Sequence, residues 1–408
     1  MKNRYKLFII AVFSAICFLS ANCGSSGAKS GPVNIDNFTT GGEYYQSARA
    51  PSAPAPFRNI TAAQLVSEIK IGWNLGNTLD THDDGQGWMS GVNIQRMETS
   101  WGNPVTTQAN IDTIKAAGFN AIRIPVSWAK ASNNTLNIRE DWMDRVTEVV
   151  NYAVNNDMYI ILNTHHDESI FKFTSSQRDK SLTAFHKIWS QIAYNFRNYN
   201  EKLIFEALNE PRTKGSEAEW SGGTSSEHLI LNEYYQLFVN IVRASGGNND
   251  KRKIMVTTYA ASAEQTAMNA LVIPKDTIEN KIIISIHSYS PYNFALNQGS
   301  RAVDRWSRDN SNDTSAINAV FDRADNIFIK KGYPVIMGEF GAVHRNNEPA
   351  RAAWAEYYVS YAKSKGVPCF LWDNGGIEGR GELFGFINRR NNTFPFPDYL
   401  AGLMRGTR

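Results

Sequence analysis

Short apolar runs alternate with longer amphipathic stretches through most of this chain. Eight runs stand out, at 69–75, 119–124, 158–162, 203–208, 253–257, 282–286, 333–337 and 367–372. Runs this short and this continuous predict strands buried on both faces, and the seven intervals between them predict helices. The interval 106–117 has Thr near its start and Gly118 as its C-terminal stop, and 348–365 closes on Gly366 in the same way. Strand and helix units in alternation make an α/β fold with a parallel sheet. Eight strands in roughly 350 residues predict a closed (β/α)8 TIM barrel rather than an open sheet.

In such a barrel the chemistry gathers at the carboxyl ends of the strands. The residues just beyond the runs are Asn74, Asn77, Arg123, His165, His166, Asp167, Asn209, Glu210, His287, Tyr289, Glu339 and Trp372. The opposite ends carry ordinary turn residues, Gly118, Asn200, Gly332 and Gly366. Reactive side chains are therefore confined to one rim. Glu210 lies in L-N-E-P and Glu339 in M-G-E-F-G, and their neighbours Asn209, Pro211, Gly338 and Gly341 restrain the backbone around each carboxylate.

Composition changes the picture at the amino terminus. The formal charge of +3 equals the contribution of Lys2, Arg4 and Lys6, which precede an apolar stretch at 7–19 of secretory length, too short to span a membrane. Residues 1–22 are thus expected to be a signal peptide. The remainder is near neutral, which excludes a polyanionic partner such as nucleic acid. Cys23, followed by Gly24, Ser25, Ser26 and Gly27, resembles a bacterial lipoprotein attachment site, although Asn22 stands where a small residue is usual. An exported chain is expected, either secreted or held at the outer surface by lipid on Cys23. Residues 23–56, rich in Gly, Ser, Ala and Pro, read as a flexible tether, and 57–408 as a single catalytic domain. Within that domain Cys369 is alone and can form no internal disulfide.

Two carboxylates facing each other across a barrel mouth suit glycoside cleavage, in which one protonates the leaving oxygen and the other attacks or activates water. Arg123 would keep the nucleophile ionised, whereas the environment of the acid should raise its pKa. Trp88, Trp101, Trp128, Trp220, Tyr289 and Trp372 offer flat apolar faces for sugar rings.

Seven segments then fall into the order of one family: G-W-N-L-G-N-T-L-D at 72–80, E-T-S-W-G-N-P at 98–104, G-F-N-A-I-R-I-P-V-S-W at 118–128, L-N-T-H-H-D at 162–167, F-E-A-L-N-E-P at 205–211, I-H-S-Y at 286–289 and M-G-E-F-G at 337–341. The chain resembles glycoside hydrolase family 5, and within it the endo-β-1,4-glucanases that include cellulases, lichenases and xyloglucanases. The resemblance implies Glu210 as general acid/base and Glu339 as nucleophile, with Arg123 and Tyr289 hydrogen-bonding the nucleophile. It further implies Asn209 on the sugar 2-hydroxyl, His165 and His287 shaping the same subsite, and Trp372 as its floor. Asn77, His166 and Trp128 are expected to support substrate, and Asp167 to contact substrate or brace the loop.

A retaining mechanism follows, with carboxyl groups about 5–5.5 Å apart. The expected substrate is cellulose or a related β-glucan, with xyloglucan, mannan or xylan as alternatives, in a groove shaped by 80–104, 212–226 and 373–395. The resemblance also implies an enzyme of a bacterium that degrades plant cell walls. No cofactor and no obligate protein partner are expected. Two other readings are a noncatalytic polysaccharide-binding protein and a metal-dependent hydrolase built on His165, His166, Asp167 and His287. Against the metal stands the expectation that adjacent histidines on an extended chain point to opposite faces.

Overall fold

A computed structural model describes residues 33–39, 42–82 and 92–408. The signal peptide, Cys23, the first part of the tether and Trp88 lie outside the described residues. Eight parallel strands close into a barrel in sequence order: β1 Gly72–Leu75, β2 Ala121–Ile124, β3 Tyr159–Asn163, β4 Leu203–Glu206, β5 Ile254–Ser262, β6 Ile282–His287, β7 Val335–Phe340 and β8 Cys369–Asp373. Every expected strand is present. The helices at 106–117 and 348–365 fall at Gln108–Ala116 and Glu348–Ser364. Thr107 caps the first in a box with Asn110, and Gly118 and Gly366 take positive φ beyond their ends, which a side chain would oppose.

The apolar runs conceal a two-layer interior. Inward positions near the strand starts (Ala121, Tyr159, Ile161, Ile204, Met255, Ile283, Ile336 and Phe370) form an apolar cluster closed from below by Ala62, Leu65 and Val66 of the helix Ala62–Glu68. Gly72 belongs to this layer by necessity, because a Cβ there would lie 2.1 Å from the Phe370 ring. Two residues further along five of the strands the inward positions turn polar: Asn74, Arg123, Asn163, Glu206 and Ser285 are all buried. Strand alternation thus places a charged layer directly on an oily one. The outward positions meet the surrounding helices in the main core.

The second half of the expected tether differs from the expectation. Along 42–56 the chain lies on the barrel: Ser47 N–H donates to Asn195 Oδ1 at 2.8 Å in the interior, Tyr45 donates to Asp144 at 2.8 Å, and Ala50 is buried. Asn198 and Asn248 donate to the carbonyls of Pro51 and Ala55 at 2.8 and 2.9 Å. Pro and Ala suited a flexible segment by composition, but the partners are asparagines more than a hundred residues away. Deleting residues 33–56 should remove at least these four bonds at about 1 kcal/mol each. At about 2 °C per kcal/mol, this gives a fall of roughly 8 °C in Tm, measurable by calorimetry.

Candidate active site

The strand ends bring Arg123, Glu210, His287 and Glu339 together from four strands or the loops that follow them. Arg123, on β2, is fully buried and spends its guanidinium on four acceptors. It donates through Nε to Glu206 at 2.6 Å and through Nη1 to Glu339 at 2.7 Å and Asn74 at 3.0 Å. Nη2 donates to Asn209 at 2.7 Å. Glu339 also accepts from the Tyr289 hydroxyl at 3.0 Å. Burial and the charges of Glu339 and Glu210 push that phenol well above its ordinary pKa, so it remains a donor. Glu339 occupies the last turn of β7, where the ladder to β6 shifts register, and Gly338 makes that approach possible. A Cβ on Gly338 would lie 2.6 Å from Ser285 Oγ and 2.9 Å from His287 Nε2.

His287 Nδ1 stands between the two carboxylates, 3.0 Å from Glu210 and 3.8 Å from Glu339. One oxygen of each glutamate and a His287 nitrogen lie within 4.8 Å of one another. Asn209 is held by its own N–H on the Thr164 carbonyl at 3.0 Å. His165 stacks parallel to Trp372, centroids 5.8 Å apart and planes within 2°. Burial and the neighbouring charges of His166 and Arg123 hold His165 well below its ordinary pKa, hence neutral. Asn77, at a positive φ that Asn tolerates, and His166 line the same groove of roughly 730 Å³. So do Trp101 and Trp220, from two of the three loops expected to shape it; the third supplies Asn374, Glu382 and Phe384.

Three expectations are corrected. Trp128 is no sugar platform: it is fully buried, and its indole N–H donates to the Asn163 carbonyl at 2.8 Å. Asp167 takes the second of its two expected roles and braces this same turn, accepting N–H from Trp128 at 3.0 Å and Ala129 at 2.8 Å. His165 and His166 do not point apart, because the chain has left β3 at Asn163; their rings lie 4.5 Å apart. Finally, Glu210 is not raised. Burial pushes its carboxyl up, but the hydrogen bond to His287 and the charges of His287, Arg212 and Arg123 outweigh this and bring it below the ordinary value.

Glu206 and Asn163 were missed. Glu206 is a second, fully buried counter-ion for Arg123, and Asn163 donates to it at 3.0 Å. Its signal was a lone charge inside the apolar run L-I-F-E-A-L, where alternation directs it into the barrel.

Asp167 carries a stability prediction. Burial, its largest cause, raises its pKa to about 7 despite the N–H donors. The unfolded carboxyl releases its proton near pH 4 and the folded one only near pH 7, so its contribution to stability falls as pH rises from about 4 through 7. Asp167→Asn should lack this loss. Denaturation midpoints at pH 5 and pH 8 should differ less in the variant than in the wild type.

A barrel with paired carboxylates on β7 and in the loop after β4, the first of them held by a buried arginine, is the arrangement of a glycoside hydrolase. Residues 83–377 match the family model described as cellulase, glycosyl hydrolase family 5, and the chain belongs to that family. It is 44% identical to endoglucanase B of Neocallimastix patriciarum over 86% of this chain and 72% of that protein. It is 42% identical to endoglucanase A of Clostridium longisporum, over 85% of this chain and 66% of that protein, so the chain spans just under two thirds of that relative's length. Among solved structures, a broad-specificity endoglucanase from Ruminococcus champanellensis with bound cellotriose superposes with a TM-score of 0.82. Identity there is 45%, over 86% of this chain and all of that one. A family 5 lichenase from a Caldicellulosiruptor species in complex with cellotetraose gives 0.81 at 39% identity, over 88% of this chain and 98% of that one.

Proposed function

We propose that this protein is a retaining endo-β-1,4-glucanase acting on cellulose and related β-glucans. The observation that carries the reading is the Glu210–Glu339 pair within 4.8 Å, set in a groove lined by Trp101, Trp220 and Trp372. Glu339 attacks the anomeric carbon as the bond from that carbon to the glycosidic oxygen breaks, and the leaving oxygen takes the proton held by Glu210. The nucleophile becomes a neutral ester, which removes a negative charge from beside Glu210 and favours its ionised form. Glu210 then accepts a proton from water as the water oxygen bonds to the anomeric carbon and the ester bond breaks, restoring both carboxyl groups. Arg123 and Tyr289 hold Glu339 in line throughout, and Asn209, itself fixed by Arg123, presents its amide to the sugar.

Relatives named as broad-specificity endoglucanase and lichenase support the glucan assignment. The test is reducing-end release by the full chain on carboxymethylcellulose, mixed-linkage glucan, xyloglucan, mannan and xylan. Activity on the glucans, with viscosity falling ahead of reducing ends, is expected. Activity on mannan or xylan alone would overturn the substrate, and silence on all five would favour a binding protein.

Export through residues 1–22 and anchoring by lipid on Cys23 complete the proposal, supported by the charged and apolar pattern of that segment. Among the described residues no helix is long and apolar enough to cross a membrane. Labelling with a fatty-acid analogue that is lost in Cys23→Ala is the expected result; no labelling of the wild type would leave plain secretion.

A further inference from the structure

Asn163, fully buried at the end of β3, touches groups whose donor and acceptor roles are fixed, and its contact with His165 has no part in the reaction as described. The Val126 N–H, which can only donate, reaches Asn163 Oδ1 at 3.2 Å. Nδ2 lies 3.0 Å from the Glu206 carboxylate, on the oxygen that also takes the Arg123 Nε–H at 2.6 Å. Oxygen therefore faces Val126 and nitrogen faces Glu206. The reverse orientation would set carbonyl oxygen against carboxylate and N–H against N–H. The backbone is fixed as firmly, because the Asn163 carbonyl accepts from the Trp128 indole at 2.8 Å and His165 N–H donates to the Val126 carbonyl at 2.8 Å.

With one hydrogen of Nδ2 on Glu206, the other faces His165 Nδ1, 3.3 Å away. That ring nitrogen must then carry a lone pair. Burial, and after it the charges of His166, Arg123, His287 and Arg212, hold His165 well below its ordinary pKa, so the ring is neutral. A neutral imidazole has a single N–H, and it is left to Nε2. The ring lines the groove, parallel to Trp372 and edge-on to His166 with centroids 4.5 Å apart.

We propose that Asn163 is a positioning residue that fixes His165 as the Nε2–H tautomer, so that the ring offers a bound glucan a hydrogen-bond donor and never an acceptor. What that donor does for substrate rests on the glycosidase reading above, whereas the tautomer rests on Asn163, Val126 and Glu206 alone. A sugar hydroxyl can give or take a hydrogen bond, and a fixed donor settles that its oxygen accepts here while its hydrogen is directed elsewhere. The chain of contacts runs from Arg123 through Glu206 and Asn163 to His165. The arginine that holds the nucleophile thus also sets, through those side chains, the polarity of the groove wall.

The tautomer is read directly from long-range proton–nitrogen NMR correlations in the full chain carrying isotopically labelled histidine, with His165 identified by the signal missing in His165→Gln. An unprotonated Nδ1 and a protonated Nε2 are expected in the wild type, a measurement that needs no variant of Asn163. A protonated Nδ1 would overturn the assignment. In Asn163→Ala both tautomers should be populated, which a merely structural role would not produce, and a single unchanged tautomer there would overturn the role of Asn163. On mixed-linkage glucan that variant should lose about tenfold in kcat/KM. In a His165→Ala background the same substitution should cost less, by about threefold or more, because its effect runs through the imidazole. Equal losses in the two backgrounds would overturn the positioning role. Wild-type protein with the expected tautomer but inert on glucans would instead sink the glycosidase reading itself.

Discussion

Glu339→Gln should lower kcat on mixed-linkage glucan by roughly 10⁴-fold or more while leaving the fold intact, because the amide keeps the shape of the side chain but cannot form the glycosyl ester. Its amide oxygen still accepts from Arg123 and its NH2 can donate to the Tyr289 hydroxyl in place of the bond it loses, so Tm should change little. The stronger check uses truncated side chains and azide. Glu339→Ala with azide should yield the α-glycosyl azide, azide having taken the nucleophile's place in a single displacement. Glu210→Ala with azide should yield the β-product, because the ester still forms and azide replaces water. Identical products from both variants would mean that the two roles are assigned wrongly.

The second large effect is expected at a residue buried beneath the reacting sugar. Glu206 is fully enclosed, takes the Arg123 Nε–H at 2.6 Å, and receives Asn163 as well. Among the described residues no group donates to its second oxygen. Arg123 thus sits between two carboxylates, one permanent and one that becomes neutral when glycosylated. Without Glu206 the cation would be left in the interior with no counter-charge during the covalent intermediate, a costly arrangement. Glu206→Ala should therefore destabilise the protein by about 3–5 kcal/mol. Glu206→Gln, which keeps one acceptor, should fold and lose about 10- to 100-fold in kcat/KM, since charged hydrogen bonds contribute about 1.5–3 kcal/mol. Denaturant titration and steady-state kinetics check the pair. Full activity in Glu206→Gln would show that Arg123 needs no second partner.

Much of the site was legible because barrel strands are local objects. Seven of the eight runs ended at or just before a reactive residue, and the order of the runs is the order of the strands around the barrel. Glu210, Glu339, Arg123, His287 and Tyr289 meet because parallel strands all deliver their carboxyl ends to one face. Trp128 misled because an aromatic near a strand end has no local mark that separates a core residue from a platform. The His165–His166 pair misled because the strand stops at Asn163, before either histidine. The segment 42–56 misled because its anchors, Asn195, Asn198 and Asn248, are distant in sequence.

The sequence by itself determined the barrel, the rim and the identity of the two carboxylates, since these depend on periodicity and on residue type at strand ends. Only the tertiary structure decided how the charges divide. Arg123 lies between Glu339 and a hidden Glu206, and Glu210 lies below its ordinary pKa through His287 and Arg212. Pattern in a chain specifies which groups face inward. The strength of their electrostatic coupling depends on separation and burial, and those quantities exist only once residues 83 and 216 positions apart are brought within hydrogen-bonding distance.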